Sequence, residues 1–337
     1  MKIVVDAMGG DFAPSEVVKG ALEAASNDPE IELIFTGNEV QIKKSIPKSV
    51  SDLAVSIHHT EQIVEMTDRP SNVIKLKPNS SLVAGIKMIK RGKARAFVSA
   101  GSTGAILATS LFLLGRIEGV KRPAIGVFFP SGKNGVLLCD AGASLEAKPE
   151  HLVQFAIMAS EYMSHIRGVQ NPKVGLLNIG VEETKGSDLY LESHSLMKKH
   201  LTAFKGNVES RYIFEGQVDV IVCDGFLGNN LVKFAEGWIS HVNRDVLKQI
   251  EETVKSKDKK NEFKSIFSRA MRHFEYEEYG GVPLLGVNGD IIICHGSSPA
   301  RAIKNAVFAA KKSAETDLVG SIRNDISSTV SLIEQIS

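Results

Sequence analysis

Residues 1–11, MKIVVDAMGGD, contain the pattern that decides the fold: a short apolar run, then an aspartate, then a pair of glycines. The run shows no alternation of apolar and polar residues, which is typical of a parallel strand covered by helices on both faces. Similar runs recur along the chain, and amphipathic helical segments lie between them. This alternation predicts an α/β fold with a mostly parallel, doubly wound sheet and right-handed crossovers.

The predicted elements extend over almost the entire chain. The predicted strands are Ile3–Ala7, Leu33–Thr36, Ala54–His58, Ala96–Ser99, Ile125–Phe129, Val136–Cys139, Val174–Asn178, Val218–Cys223 and Ile291–Cys294. The predicted helices are Ser15–Ala25, Ser81–Lys90, Gly104–Leu114, Pro149–His165, Leu189–Leu201, Asn230–Thr253 and Pro299–Thr316. Since no fixed-period repeat and no Pro- or Gly-rich linker separates them, we expect a single α/β domain over residues 1–337.

The composition limits the classes of function. Hydrophobic residues make up 43% of the 337 residues and charged residues 23%, which is ordinary for a globular protein with a core. The formal net charge is +1, whereas nucleic-acid-binding proteins usually carry a strong basic excess, so no nucleic-acid partner is expected. Cys139, Cys223 and Cys294 are widely separated and form no Cys-x-x-Cys pair, so we expect neither a disulfide framework nor a metal site.

Glycine turns follow six of the predicted strands. They are Asp6–Asp11 with Gly9 and Gly10, Ser99–Gly104 with Gly101, Asp140–Ser144, Asn178–Gly180, Asp224–Asn229 with Gly225 and Gly228, and His295–Ser298 with Gly296. Because the carboxyl ends of parallel strands lie at one edge of a sheet, we expect all six turns to meet at that edge. Glycine lets the backbone approach a ligand, and helix N-termini present N–H groups, so the turns predict an anion site, with phosphate as the expected anion.

The residues expected to bind phosphate come from five of these turns. They are Asp6, Gly9, Gly10, Gly101, Ser102, Thr103, Gly104, Asp140, Asp224, Gly225, Gly228, Gly296, Ser297 and Ser298. Helix capping is an equal alternative for the hydroxyl side chains, and we expect the three aspartates to orient their loops through backbone N–H groups. Nucleotide and hydrolase motifs (Gly-x-Gly-x-x-Gly after the first strand, the P-loop, Gly-x-Ser-x-Gly) are missing, and no cofactor is expected.

These turns and several further stretches resemble the bacterial phosphate acyltransferase family, the acyl-acyl carrier protein:phosphate acyltransferases. The matching stretches are Asp6–Asp11 with Ala13-Pro14, Ser99–Gly104, Gly115-Arg116, Arg122–Ala124, Ala147–Glu150, Gly175–Asn178, Lys185-Gly186, Gly206–Glu209, Asp224–Asn229, Tyr279–Gly281 and His295–Ser298. They follow one another in order over nearly the whole chain.

The resemblance implies a three-layer α/β/α Rossmann-like fold, related to phosphotransacetylases and isopropylmalate dehydrogenases, and a homodimer. It also implies a reaction in which the thioester of acyl carrier protein and inorganic phosphate give an acyl phosphate. That product would pass to a membrane glycerol-3-phosphate acyltransferase in phospholipid synthesis. Ser102, Ser144 and Ser187 stand where the family pattern leads us to expect asparagine; serine can still donate and accept a hydrogen bond.

Three residues are candidates for the chemistry. The resemblance implies that Lys185 acts on phosphate or on the oxyanion, and the alternative is a solvated loop lysine. Asn229, at the start of a long helix, could donate an amide hydrogen bond to the oxyanion, a role compatible with helix capping. His295 could protonate the departing thiolate because histidine titrates near neutral pH, although a structural histidine is the favoured alternative.

Residues 230–278 are expected to form a protruding helical segment that contacts the membrane, a second protomer or both. Within it, Phe263, Ile266, Phe267, Met271 and Phe274 recur at helical spacing beside a Lys-rich run. Such a face either packs in a dimer or lies on anionic lipid, and lipid is slightly favoured. Since the chain shows no signal region and no apolar run of ~18–20 residues, we expect a cytoplasmic protein peripherally associated with the inner face of the membrane.

Three other functions are compatible with the sequence. A phosphotransacetylase that uses coenzyme A thioesters would share the phosphate chemistry, and a metal- and NAD-dependent decarboxylating dehydrogenase would share the fold. A non-enzymatic regulator at a lipid surface would need only the amphipathic segment. Two basic clusters are candidates for docking acyl carrier protein, which is generally acidic. They are Lys87, Lys90, Arg91, Lys93 and Arg95, and Arg116, Lys121 and Arg122.

Overall fold

The computed structural model describes residues 1–47, 53–131, 135–271 and 280–334. Its strands are β1 (Lys2–Asp6), β2 (Glu32–Gly37), β3 (Val55–His59), β4 (Ala96–Ser99), β5 (Ala124–Phe129), β6 (Val136–Cys139), β7 (Val174–Asn178), β8 (Phe204–Glu209), β9 (Val220–Val222), β10 (Val282–Leu285) and β11 (Asp290–Ile293). Its helices are α1 (Ser15–Asn27), α2 (Glu39–Ser45), α3 (Val73–Leu76), α4 (Ser81–Lys90), α5 (Thr103–Leu113), α6 (Pro149–Arg167), α7 (Asp188–His200), α8 (Gly225–Thr253), α9 (Lys257–Met271), α10 (Ala300–Glu315) and α11 (Leu318–Glu334).

All nine predicted strands and all seven predicted helices are present in these elements. The sequence did not predict β8, β10, α2, α3 or α11. The residues of β8, FKGNVE, mix polar and apolar side chains around a glycine, because β8 is at the edge of the sheet and is covered less completely. In β10 the second residue is Pro283, which argues against a strand when sequence alone is considered.

One sheet of eleven strands, counted over the described residues, has the order β3-β2-β1-β4-β11-β10-β5-β6-β9-β7-β8. Most neighbours are parallel, which confirms the predicted fold class. The exceptions are at the centre, where β10 is antiparallel to both β11 and β5, and β5 is antiparallel to β6. The sheet therefore has a first half (β3, β2, β1, β4, β11) and a second half (β6, β9, β7, β8) whose strands point in opposite directions.

The prediction that all six glycine turns share one edge is therefore wrong. The register shows how the turns still approach one another. Ile293 at the end of β11 is opposite Val282, and Leu285, three residues along β10, is opposite Ala124. Strand β5 runs opposite to β10. Its residue Gly126, two residues after Ala124, is opposite Cys139 at the end of β6. Measured along the strand direction, the last residues of β11 and β6 are thus only one residue apart, roughly 3.3 Å. Because the two half-sheets point in opposite directions, their carboxyl ends face each other at this level.

Helices cover both faces of the first half-sheet. Ile3 and Val5 of β1 are buried in the same cluster as residues of α1 and α10. Val4, between them, is buried in a second cluster with residues of α4 and α5. Because consecutive side chains of β1 point to opposite faces and both faces are covered, the strand is an unbroken apolar run.

The helix pair α8 and α9 is the least buried part of the second half. The buried residues of α8 are Gly225, Gly228 and Val232, all within its first eight residues, and no residue of α9 is buried. Lys260 and Lys264 of α9 both donate to Glu251 of α8, at 3.0 and 2.6 Å, which ties the two helices together. Among the described residues, no helix is both long enough and apolar enough to cross a bilayer.

Candidate active site

A cavity of about 350 Å³ lies where the carboxyl ends of the two half-sheets face each other. The first half contributes the start of α5 (Thr103 and Gly104) and His295, which follows β11. The second half contributes Gly142, which follows β6, and Asn229 near the start of α8. Ile125 and Val127 of β5, which connects the two halves, also line it. Thr103, Gly104, Asn229 and His295 are the predicted site residues that line this cavity directly.

The turn after β1 is held to the turn after β4 by Asp6. Its carboxylate accepts hydrogen bonds from the Met8 amide at 3.2 Å and from Ser99 Oγ at 2.8 Å. Ser99 Oγ in turn accepts from the Gly101 amide at 3.0 Å. A Cβ atom at Gly9 would lie 2.7 Å from the Gly101 nitrogen, so only glycine permits this packing. Burial raises the pKa of Asp6, and these donors partly oppose that shift.

The turn that carries His295 joins the same group. The Gly296 carbonyl accepts from the Asp11 amide at 2.7 Å, which links the turns after β11 and β1. The Ser297 amide donates to Nδ1 of His295 at 3.2 Å, and Ser297 Oγ lies 2.8 Å from the same nitrogen. Because Nδ1 accepts the amide hydrogen bond, the ring hydrogen of a neutral His295 is on Nε2. Ser298 is buried, and its Oγ has no hydrogen-bond partner in the described part of the chain.

The facing wall is organised by Asp140. Its buried carboxylate accepts four backbone hydrogen bonds, from Ile125 (2.9 Å), Gly142 (3.1 Å), Ala143 (3.0 Å) and Ser144 (2.8 Å). Burial raises the pKa of Asp140 to about 6, and the four amides oppose this shift. The amides of this turn are thus already engaged with a carboxylate of the protein itself.

The start of α8 packs directly on the Asp140 turn. Asp224 caps the helix by accepting from the Phe226 and Leu227 amides, each at 3.0 Å. The Gly225 amide donates to the Ser144 carbonyl at 3.0 Å. A Cβ atom at Gly228 would lie 1.9 Å from the Asp140 carbonyl oxygen, so this close approach requires glycine.

Since the aspartate turns use many of their own amides, the start of α5 is the clearest source of N–H groups for the cavity. The first N–H groups of a helix have no partner within the helix. Ser102, the N-cap residue, makes no capping hydrogen bond with its side chain. Thr103 and Gly104 begin α5 and line the cavity. The N–H groups and the positive dipole end at the start of α5 are therefore suited to bind an anion in the cavity.

Lys185 is outside the cavity lining. It is exposed, and its carbonyl accepts from Asn178 Nδ2 at 3.0 Å, which folds the loop back onto the end of β7. The loop nevertheless lies near the second wall, because Tyr190 of α7 donates to Asp224 at 2.6 Å.

Two polar residues of the cavity, Lys233 and Glu236, were not predicted. They pair at 2.8 Å on the face of α8 that also carries Asn229. Their spacing of four and seven residues from Asn229 was the available signal, because residues so spaced share one helical face. The described residues contain no group of three His, Cys, Asp or Glu side chains that could hold a metal ion.

Known proteins of similar sequence match this chain over almost its whole length. Residues 1–320 match the model of a family described as fatty acid synthesis proteins. A phosphate acyltransferase from Halothermothrix orenii is 45% identical over 97% of this chain and 98% of its own length. A phosphate acyltransferase from Desulforamulus reducens is 44% identical over 97% of each.

Solved structures with low sequence identity share the fold. A phosphotransacetylase from Streptococcus pyogenes superposes with a TM-score of 0.61 at 16% identity, over 94% of both chains. A phosphotransacetylase from Staphylococcus aureus gives a TM-score of 0.60 at 17% identity, over 93% of this chain and 94% of its own.

Proposed function

The chain belongs to the phosphate acyltransferase family and is an acyltransferase that forms acyl phosphates, and we propose that its acyl donor is the long-chain thioester of acyl carrier protein. The acceptor is inorganic phosphate. The observation that carries this proposal is the cavity between two facing sets of strand ends, because it combines a helix N-terminus, an amide side chain and a lysine around one small space.

Phosphate binds between the start of α5 and α8. The amides of Thr103 and Gly104 point their hydrogens at one side of the anion, and the positive end of the α5 dipole adds to the attraction. Lys233 supplies positive charge from the opposite side, after exchanging its contact with Glu236 for phosphate. The turns of Asp6, Gly9, Gly10, Gly101 and Gly296, and those of Asp140, Asp224, Gly225 and Gly228, hold these groups in position.

The reaction needs no covalent enzyme intermediate. A phosphate oxygen attacks the thioester carbon, and the carbonyl electrons move onto oxygen to give a tetrahedral oxyanion. When the carbonyl re-forms, the C–S bond breaks, the electron pair leaves with sulfur, and the thiolate takes up the proton that hydrogen phosphate loses as it becomes an acyl phosphate. Positioning of the two reactants and hydrogen-bond donors aimed at the oxyanion each lower the barrier by several kcal/mol in such reactions.

The three predicted catalytic residues have distinct tasks in this scheme. Asn229 donates its amide hydrogen to the oxyanion. His295 holds its ring hydrogen on Nε2 and donates it as a hydrogen bond to the departing sulfur, which stabilises the thiolate, while the proton itself comes from the hydrogen phosphate nucleophile. Lys185 reaches the mouth of the cavity when the loop before α7 closes, and there it balances the charge of phosphate.

Acyl phosphate formation is tested directly by incubating the protein with palmitoyl-acyl carrier protein, with and without phosphate. The expected result is phosphate-dependent loss of thioester, and hydroxylamine traps the product as a hydroxamate. Equal thioester loss in the absence of phosphate would indicate a hydrolase and would contradict the proposal. Palmitoyl-coenzyme A serves as the second donor, and preference for it would make the protein a phosphotransacetylase.

Acyl carrier protein docks on a basic surface near β3 and α4. Lys87, Arg91 and Lys93 line a second cavity, of about 490 Å³, together with His58 and His59. Lys87 also donates to the Pro78 carbonyl at 2.8 Å, which fixes its stem. Charge reversal at Arg91 should raise the KM for the carrier-protein thioester and leave the KM for phosphate unchanged.

The protein acts as a homodimer that contacts the inner face of the membrane, where a glycerol-3-phosphate acyltransferase consumes the product. The contact is made by the protruding segment, residues 230–278. Phe263 and Ile266 are 46% and 47% exposed, as a lipid-facing surface requires, whereas Met271 faces a groove beside α8 and Phe274 is outside the described residues. Flotation of wild type and of Phe267→Glu with anionic vesicles tests this contact, and equal recovery of the two would refute it.

A further inference from the structure

The loop between β7 and α7, residues 179–187, carries Lys185. Three stretches of sequence that do not line the active-site cavity meet at this loop. They are residues 175–178 in β7, residues 185–186 in the loop itself, and residues 206–209 in β8. Because β7 and β8 are neighbours at the edge of the sheet, side chains from both strands can reach the loop together.

Side-chain packing holds this loop only weakly. Ile179 and Val181 are 82% and 57% exposed, and the three residues between Val181 and Lys185 are exposed as well. Glu183 pairs with Lys198 at 2.7 Å, but both side chains lie in solvent, and such exposed pairs contribute little to stability. The position of Lys185 therefore depends on hydrogen bonds to the backbone of the loop.

Two asparagines hold the backbone of Lys185 from both sides. Asn178 at the end of β7 donates from Nδ2 to the Lys185 carbonyl at 3.0 Å. On the other side, the Lys185 amide donates to the Glu182 carbonyl at 3.2 Å, which closes a turn of four residues. Asn207 of β8 donates from Nδ2 to the same Glu182 carbonyl at 2.7 Å. The turn that presents Lys185 is thus tied to two neighbouring strands.

The register of β7 and β8 explains why both asparagines reach the loop. Leu176 is opposite Asn207, and paired residues of neighbouring strands point to the same face of the sheet. Asn178, two residues after Leu176, points to that face as well. The face is covered by α7, because Leu176 and Tyr190 belong to one buried cluster. Asn207 is only 8% exposed, so its hydrogen bond is shielded from water, which strengthens it.

Gly186 lets the loop turn back onto α7 and stay close to the second wall of the cavity. Its φ is +101°, and a Cβ atom there would lie 2.8 Å from Tyr190 Cβ and 3.0 Å from Asn178 Oδ1. Tyr190 in turn donates to Asp224 at 2.6 Å, at the start of the helix that lines the cavity. The anchored loop is therefore connected to the wall beside which phosphate is expected.

We propose that Asn207 is a positioning residue for Lys185. Its hydrogen bond to the Glu182 carbonyl is kept when the loop closes, so the turn pivots on β8 and directs the Lys185 ammonium group to phosphate. Asn207 touches neither reactant and acts only through the lysine. This assignment rests on the proposed function, since it explains how a lysine outside the cavity lining serves the phosphate site.

The test measures the KM for phosphate, with palmitoyl-acyl carrier protein as donor, in variants of the full-length protein. Asn207→Leu removes the amide donor at similar volume, and Asn207→Ala removes it without adding apolar bulk. Asn207 Oδ1 has no partner among the described residues, so each change removes the hydrogen bond to Glu182 alone. Asn288→Leu is the control, because its amide also donates to a backbone carbonyl, that of Arg116 at 2.7 Å, in the connection between β10 and β11. Each substitution is also made in Lys185→Ala.

We expect both Asn207 variants to raise the KM for phosphate roughly three- to tenfold, the size of one net hydrogen bond expressed as an equilibrium constant. The KM for the thioester should stay at the wild-type value, and Asn288→Leu should change neither constant. In the Lys185→Ala background, the Asn207 substitutions should cause no further rise, because their effect passes through the lysine.

An equal rise in the wild-type and Lys185→Ala backgrounds, or an unchanged KM for phosphate in both Asn207 variants, overturns the assignment. A rise in the KM for both substrates does the same, because it would indicate a general structural role. If Lys185→Ala alone leaves the KM for phosphate unchanged, the lysine does not act on phosphate and the assignment is wrong. Wild type that forms no acyl phosphate from either thioester refutes the proposed function itself, which is a distinct outcome.

Discussion

Replacement of Gly228 by alanine is expected to push α8 away from the Asp140 turn. The added Cβ atom would lie 1.9 Å from the Asp140 carbonyl oxygen and 3.0 Å from Cys223 Sγ, and neither neighbour is the end of a flexible side chain. Overpacking of this kind costs roughly 1–3 kcal/mol in the free energy of unfolding. The higher helix propensity of alanine offsets about 0.5–1 kcal/mol of that cost.

Gly237→Ala provides a matched control on the same helix, because an added Cβ there meets nothing within 4 Å. The propensity gain is common to both variants, so the difference between their free energies of unfolding isolates the steric cost, roughly 1–3 kcal/mol. Urea unfolding followed by circular dichroism measures this difference. Equal stability of the two variants would refute the close packing of α8 on the Asp140 turn.

The same substitution should also reduce activity, because Asn229 follows Gly228 directly. A shift of about 1 Å in a catalytic group can lower the rate roughly 100-fold. Gly237→Ala should retain the wild-type rate of acyl phosphate formation. Loss of stability in Gly228→Ala without loss of activity would show that Asn229 has no part in the chemistry.

Asn229→Ala should lower kcat by about 100- to 1000-fold with an unchanged unfolding midpoint, because one oxyanion donor is lost; a rate near that of wild type excludes the role. Lys233→Ala and Lys185→Ala should each raise the KM for phosphate about tenfold, and a change confined to the thioester KM contradicts the assignment. Because the pKa of Asp140 is raised from 3.8 to about 6, the folded state binds more protons than the unfolded state between these two pH values. The contribution of Asp140 to the free energy of unfolding therefore falls as pH rises through this window. Relative to Asp140→Asn, wild type should lose roughly 2 kcal/mol in the free energy of unfolding from pH 4 to pH 6, and parallel pH profiles of the two proteins would contradict the raised pKa.

Much of the fold could be predicted because each half-sheet is built from buried parallel strands. Consecutive residues such as Val4 and Val5 are buried in different clusters, so the strands appear in the sequence as unbroken apolar runs. The helices between them carry periodic apolar faces. The elements that escaped prediction lack these signals, as Pro283 in β10 illustrates.

The antiparallel pairing of β5 with β6 could have been inferred from the length of their connection, because both strands were predicted, whereas β10 was not. Only residues 130–135 separate β5 from β6, and only residues 286–289 separate β10 from β11. A parallel connection needs a dozen or more residues, so both pairs must be antiparallel. The prediction that all glycine turns lie at one edge of the sheet did not take this minimum connection length into account.

The site was predicted unevenly, for physical reasons. Glycine turns after strands indicated both walls of the cavity, because close backbone packing needs glycine at positions such as Gly9 and Gly228. The sequence could not show that the amides after Asp140 donate to its own carboxylate, since that depends on the local path of the turn. Lys233 was missed because a lysine on a long helix usually faces solvent.

In the proposed mechanism, two facing sets of strand ends hold phosphate for attack on a thioester. A crystal structure of the protein with bound phosphate tests it most directly. We expect an anion with oxygens about 3 Å from the Thr103 and Gly104 amides and within reach of Asn229. Phosphate bound elsewhere, for example beside His58 and Lys87, with this cavity empty, would contradict it.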